Sequence, residues 1–239
     1  MDGSEDRLAQ LHDRQTLILD RIQRLEADTC NHDSHRAPLS RLPALQIEAI
    51  GQDVSDTEHR LGAELRSKGI PHRFVRVPAD YYEHDLEFRR KCLDAESIQH
   101  LCKSIVMENT KLTEPAPGVS KYYCVIVQYA ARLHAEKLKR CLYQSQKAAG
   151  GALGTKAFNM RLCPEDVSDR LTGFQHNAVT PIGSASPHMP IVLSDRIVKQ
   201  LEGSKGYMWL GGGEVDLKLG FHVADFIRAY KPLVLDCTA

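Results

Sequence analysis

Three stretches of the sequence carry residue types suited to chemistry, and they follow one another in a fixed order. The first is Lys103, the one charged residue in the apolar run Leu101-Cys102-Lys103-Ser104-Ile105-Val106-Met107. A lone ammonium among such neighbours is costly to bury, so it either snorkels to the surface or serves a site. The second is Leu171 to Gly183, LTGFQHNAVTPIG. Gly173, Asn177 and Gly183 tolerate positive φ, and Pro181 fixes its own φ. A loop built this way holds one shape and can aim backbone N–H groups at a ligand. An ordinary surface turn has the same composition. The third is Met208-Trp209-Leu210, a strand that ends in Gly211, Gly212 and Gly213. Without side chains, that strand end allows close approach of a ligand to the backbone.

Other chemistries lack their signatures. The sequence has no GxSxG elbow, no HExxH, no paired CxxC and no GxGxxG. GALGTK near residue 151 places its lysine wrongly for a phosphate loop. Cys102 and Cys124 lie in apolar strands, where cysteine is packing rather than nucleophile. Cys30, His32, Asp33 and His35 are spaced too tightly for the usual zinc patterns, so they read as solvated linker. No metal or cofactor is expected. His176, alone in its loop, reads as a general base or polar wall at most.

The elements that must position these residues follow from periodicity. A helix is expected from Ser55 to Lys68, capped by Ser55 and stopped by Gly69. Strands are expected over Arg73–Val77, Leu101–Met107, Tyr122–Gln128, Phe158–Arg161, Pro190–Leu193, Tyr207–Leu210, Glu214–Lys218 and Pro232–Leu235. Helices are expected over Asp80–Gln99, His134–Ser145, from Pro164, over Asp195–Leu201 and over His222–Tyr230. Tyr81 and Tyr82 read as core more readily than as a base-stacking pair. Irregular alternation with tight strand connections is an α+β pattern, not a doubly wound one.

At 239 residues the chain can bury a full core, with one domain plus an extension as the natural division. Residues 1–45 read as an amphipathic helix over 5–26 and a polar linker, and residues 46–239 as the domain. The helix has Leu8, Leu11, Ile18, Ile22 and Leu25 on one face, a seam for self-association or a handle for a partner. Seven cysteines without a CxxC pair argue for a reducing compartment, and cytoplasm is the expected location. No apolar run is long enough to span a bilayer. Net charge is zero, but residues 1–99 carry 14 Lys+Arg against 19 Asp+Glu, and residues 100–239 carry 17 against 12. Lys121, Lys137, Lys139 and Arg140 belong to a basic stretch, 121–161, that holds Glu136 as its one acid. Such a stretch is a candidate phosphate-facing surface, or a solvated helix face.

Lysine in a strand, rigid proline loop, strand into glycines: in that order and spacing the chain resembles the YbaK/ProX family. These proteins are free-standing relatives of the editing domain inserted in bacterial prolyl-tRNA synthetases. The resemblance covers roughly Ser55 to Asp236 and is strongest from Phe158 to Phe226, where RLCPEDVSDRLTGFQHNAVTPIG leads into MWLGGGEVDLKLG. It implies a mixed, mostly antiparallel, barrel-like sheet surrounded by helices. It also implies a trans-editing hydrolase that removes a small amino acid from mischarged tRNA, of Cys-, Ala- or Ser/Thr-type, for example from tRNA-Pro. Lys103 would hold the 3′-terminal adenosine, and the backbone of Asn177, Ala178 and Val179 the aminoacyl group. Gly173, Phe174, His176, Thr180, Pro181 and Gly211 to Gly213 would line the substrate. Lys121, Lys137, Lys139 and Arg140 would meet tRNA, and a synthetase or synthetase complex would be a partner. The family's loop has the form GxxxP, and Asn177 replaces the first glycine. Asparagine is the next most tolerant of positive φ, so the loop shape is expected to survive. Its side chain and His176 would narrow the pocket or hydrogen-bond a hydroxyl or thiol. Two other readings are a binding module that keeps the pocket without turnover, and a small-molecule hydrolase.

Overall fold

The computed structural model describes residues 54–114, 116–201 and 206–239. The helix expected over 5–26 and the linker after it lie outside these residues. Ser55 opens helix α1 (Asp56–Ser67), its side chain accepting from the Glu58 N–H, and Asp56 and Glu58 sit in the first turn. Acids there face the positive end of the helix dipole. Gly69 leaves the helix at φ 65°, as a C-terminal stop requires. Strand β1 (His72–Arg76) follows.

The single helix expected over Asp80–Gln99 is instead three short pieces. They are a 3₁₀ turn at Tyr81–Glu83, helix α2 (Leu86–Cys92) and a second 3₁₀ turn at Ile98–His100. The cause is local. Asp85 caps α2 through the Phe88 N–H, and Ser97 caps the last turn. Asp94 between them sits at φ 49°. Side chains that bond their own backbone compete with continued helix.

Strand β2 (Cys102–Asn109) pairs antiparallel with β3 (Tyr122–Gln128), from Cys102 opposite Gln128 to Glu108 opposite Tyr122. Helix α3 (Ala135–Ala148) buries Leu138 and Leu142. Strand β4 (Met160–Leu162), helix α4 (Glu165–Thr172), strand β5 (Ile191–Ser194) and helix α5 (Asp195–Leu201) follow. Strand β6 (Tyr207–Gly211), strand β7 (Leu217–His222), helix α6 (Val223–Tyr230) and strand β8 (Leu233–Leu235) complete the order. β7 starts three residues after the expected Glu214. A turn holds 212–216: the Gly212 N–H donates to Leu217 O at 2.9 Å and the Leu217 N–H to Glu214 O at 3.1 Å.

The strands form two sheets, β1-β7-β6 and β4-β2-β3-β5-β8. Every pairing is antiparallel except β3 with β5 and β5 with β8. The sheets meet where Leu101 and Trp209 form an isolated parallel bridge. This is an α+β fold with mixed sheets. Two features make room for a site at the meeting point. β4 is short and pairs with Met107–Asn109 alone, so the Cys102–Val106 half of β2 has no strand on that side. The proline loop fills part of the gap, and its Phe174, Ala178 and Ile182 belong to the same core as Leu61, Leu65, Leu210 and Phe221. Burying Phe174 and Ile182 supplies roughly 1.5–3 kcal/mol each, which fixes the loop by packing rather than by hydrogen bonds alone.

Candidate active site

A cavity of about 690 Å³ opens between the free half of β2, the end of β6, the start of α4 and the proline loop. Lys103, Tyr82, Tyr129, His176, Asn177, Val179, Gly211 and Lys218 are among its walls. The lysine and the loop, 74 residues apart in their numbering from Lys103 to Asn177, thus face one space. Lys103 extends from the strand with its Nζ 5.3 Å from the centre of the Tyr129 ring.

The loop has a defined shape. Asn177 stands at φ 66°, the left-handed region that the spacing of the loop demands, and it does so with its side chain exposed. Its carbonyl accepts from the Tyr82 hydroxyl at 2.8 Å. The Ala178 N–H donates to Gln175 O at 3.0 Å, closing a turn, and Ala178 O accepts from the Gly213 N–H at 3.1 Å. Ala178 is therefore held on both sides and buried. The Asn177 and Val179 N–H groups have no acceptor among the described residues. Of the three loop residues expected to meet the aminoacyl group, these two retain a free donor at the cavity, and Ala178 acts as a structural tie.

The glycines of the β6 end have a different use from the one expected. A Cβ on Gly211 would lie 2.9 Å from Val179 O and 3.0 Å from Ala178 O. On Gly212 it would meet Leu217, and on Gly213, at φ 88°, Thr57 and Phe174. The close approach they permit is that of the protein's own loop. Gly211 alone of the three also lines the cavity. Gly173 is the left-handed residue that ends α4. Phe174, Thr180 and Pro181 are buried beneath the loop and do not line the cavity.

The four basic residues expected to face tRNA lie elsewhere. Lys137, Lys139 and Arg140 border a second cleft of about 470 Å³ with His134, Tyr143 and Thr155. Lys137 bonds Asp236 at 3.1 Å and Thr238 O at 2.7 Å, and Lys139 pairs with Glu136 at 3.2 Å. Lys121 sits 3.6 Å from Glu108. Surface pairs of this kind contribute little to stability.

Two residues of the site are missed by the sequence reading. Lys218 lies in β7 between Leu217 and Leu219 and is only 4% exposed. Its Nζ donates to Tyr82 Oη at 2.8 Å and to Val215 O at 2.6 Å. Burial, with Arg89 nearby and against the pull of Asp216, lowers its pKa to about 8. Tyr82, read from the sequence as core, instead links that amine to the loop carbonyl, and burial pushes its hydroxyl well above the ordinary range. Arg89 fixes the turn that carries Tyr82: it bonds the Tyr81, Tyr82 and His84 carbonyls and lies over the rings of Tyr81, Tyr82 and Tyr129. The signal for Lys218 is the same as for Lys103, a lone lysine in an apolar strand, but a strand taken to end at Lys218 hides it. Cys102 and Cys124 are buried, and burial raises both thiols, Cys124 to about 12. Neither is a thiolate near neutral pH.

No protein-family model matches the sequence, and no curated protein does. Solved structures do share the fold. One is a candidate trans-editing enzyme for prolyl tRNA synthetase, at TM-score 0.56 and 19% identity, with 77% of this chain and 98% of that one covered. A hypothetical protein matches at TM-score 0.55 and 16% identity over 75% of this chain and 99% of that one. A scaffold protein for computational epitope grafting matches at 0.55 and 18%, over 77% and 98%. At such identities the likeness is one of fold, and the fold is of the YbaK/ProX type.

Proposed function

We propose that this protein is an aminoacyl-tRNA deacylase that acts in trans on a mischarged tRNA. The observation that carries the reading is the common cavity of Lys103 and the loop, with the Asn177 and Val179 N–H groups uncommitted at its wall. An aminoacyl ester is already activated. Its hydrolysis needs a positioned water and donors for the oxyanion that develops on the carbonyl. Two preorganised backbone N–H groups meet the second need. Lys103, in the same cavity, takes a phosphate or ribose oxygen of the terminal adenosine. The amino acid is small, of Ala-, Cys- or Ser/Thr-type, and tRNA-Pro is one carrier of such errors. A synthetase pocket separates side chains that differ by one methylene by only ~1–3 kcal/mol, so a second sieve has work to do. The body of the tRNA runs over Lys121, Lys137, Lys139 and Arg140, and the ion pairs of the three lysines exchange for phosphate contacts. The protein works in the cytoplasm, and residues 5–26 serve as a handle for a synthetase assembly or for a second copy.

The test is a deacylation screen over tRNAs charged with Ala, Cys, Ser and Thr, with Lys103→Ala beside the parent. The parent is expected to release at least one amino acid. The variant should lose roughly 100-fold or more in rate at an unchanged melting temperature. Parent-like release by Lys103→Ala removes that residue from the site. Saturable tRNA binding without release from any of the four replaces the enzyme by a binding module, and release from free aminoacyl esters in preference to tRNA makes it a small-molecule hydrolase.

A further inference from the structure

We propose that Lys218 is the general base of this site, taking a proton from the attacking water through a neutral amine and returning it to the departing ribose oxygen. The inference rests on the deacylase reading and extends it, since that reading assigns no group to activate the water.

The hydrogen-bond inventory around Nζ carries the argument. Val215 O can only accept, so the amine donates to it at 2.6 Å. Tyr82 has one hydroxyl hydrogen and gives it to Asn177 O at 2.8 Å, so towards Lys218 it too can only accept, at 2.8 Å. The two contacts therefore need two N–H donors. A neutral amine has two, plus one lone pair. Once both hydrogens are held by protein acceptors, the lone pair is the one valence left, on a residue that lines the cavity. A charged amine would carry a third N–H, for which the described residues offer ring faces but no oxygen or nitrogen acceptor, in a side chain 4% exposed.

Burial outweighs charged and aromatic neighbours that act in both directions. Arg89 of α2 disfavours a second positive charge, while Asp216, in the turn before β7, favours it. The ring faces of Tyr81 and Tyr82, 5.2 and 4.6 Å from Nζ, also favour the charged form, Tyr129 stands beside them, and Lys103 borders the same cavity from β2. Burial is the largest influence and brings the amine to about 8. A base that titrates near the working pH combines an available lone pair with enough basicity to move the proton.

The proton inventory closes. One O–H bond of water breaks as its proton passes to Nζ, and the oxygen bonds the ester carbon. The negative charge on the carbonyl oxygen is held by the Asn177 and Val179 N–H groups. The carbon–ribose oxygen bond then breaks, and the ammonium gives its proton to that oxygen. Free amino acid and uncharged tRNA leave, and Lys218 is neutral again.

The experiment is the pH dependence of kcat/KM on the tRNAs charged with Ala, Cys, Ser and Thr, corrected for hydrolysis in buffer. Parent activity should rise about tenfold per pH unit and level near the amine pKa of about 8. Lys218→Met and Lys218→Arg should each lose roughly 10²–10⁴-fold and the pH step with it, while circular dichroism and melting show a folded chain. Asp216→Asn removes the carboxylate that favours the charged amine, so the step should move to lower pH, a shift that a merely structural lysine would not produce. Titration of the lysine amines by NMR, without RNA, should find one near 8 that is lost in Lys218→Met. Parent release that survives in Lys218→Met with its pH step intact overturns the assignment of Lys218 alone, as does an amine that stays charged beyond pH 10. No release by the parent, with the NMR titration as expected, sinks the deacylase reading and the catalytic role together while leaving the unusual amine in place.

Discussion

Replacing Gly211 by alanine probes the seam between strand β6 and the loop with the smallest change available. The added Cβ would sit 2.9 Å from Val179 O, 3.0 Å from Ala178 O and 3.1 Å from Ala178 C, whereas ordinary contact begins near 3.4 Å. All three neighbours are backbone, so no side chain can turn aside. The loop must retreat by about half an ångström, or the strand must. Overpacking a well-filled interior costs typically 1–3 kcal/mol, and Ala178, tied to Gly213 and Gln175, limits how the strain can spread. The rate should fall along with the stability. The retreat carries the Val179 N–H with it, and misplacement by about 1 Å can cost on the order of 10²-fold, so 5- to 20-fold, roughly, is expected for half of that. Gly154→Ala is the control, since a Cβ there meets nothing within 4 Å. The assay pairs chemical denaturation with deacylation at saturating and limiting tRNA. A Gly211→Ala protein as stable and as active as the Gly154→Ala control would refute the claim that the glycine exists to admit the loop.

Two further perturbations read other parts of the same frame. Asn177→Val forces a β-branched residue to φ 66° and should cost about 1–2 kcal/mol in denaturant melts, whereas Asn177→Gly should stay within about 1 kcal/mol of the parent. Arg76 holds Glu214 at 2.6 Å and Asp216 at 3.0 Å behind the 212–216 turn. Burial pushes the Glu214 carboxyl up, but bonds from Ser55 and Arg76 outweigh it and hold the group below its ordinary 4.5. A carboxyl lowered in the folded state stabilises the fold above the unfolded value and ceases to do so as pH falls through the folded one. Arg76→Gln should therefore lower the melting temperature near neutral pH and make its fall in acid shallower, measured as melting temperature against pH. An unchanged acid limb would show that Arg76 does not set it.

Much of this frame was legible because it is written in local chemistry. Ser55 as a cap, Gly69 as a stop, the apolar runs of β2 and β3 and the left-handed tolerance of Asn177 are all properties of a few adjacent residues, and each element stands within a residue or two of its expected place. What was not legible depends on partners far along the chain. Nothing near Tyr82 announces that its hydroxyl will meet residue 177. The Gly211–Gly213 run signals close approach, yet only the packed structure reveals that the approaching group is the loop. The region 80–99 has helical composition, but Asp85, Asp94 and Ser97 divert the backbone, and short capping residues inside a helical pattern are the warning that periodicity overrides. Lys218 shows the sharpest case, because a boundary misplaced by a few residues moved a strand-interior lysine to a strand end.

The hydrogen bonds that shape the cavity span great lengths of chain: 95 residues from Tyr82 to Asn177 and 136 from Tyr82 to Lys218. Closing loops of that size is entropically slow, and contacts so distant form after local turns and hairpins. Competence is thus a late property of folding. A nascent or partly denatured chain can hold most of its helices and strands and still have no pocket, so the cavity belongs to the wholly assembled protein alone.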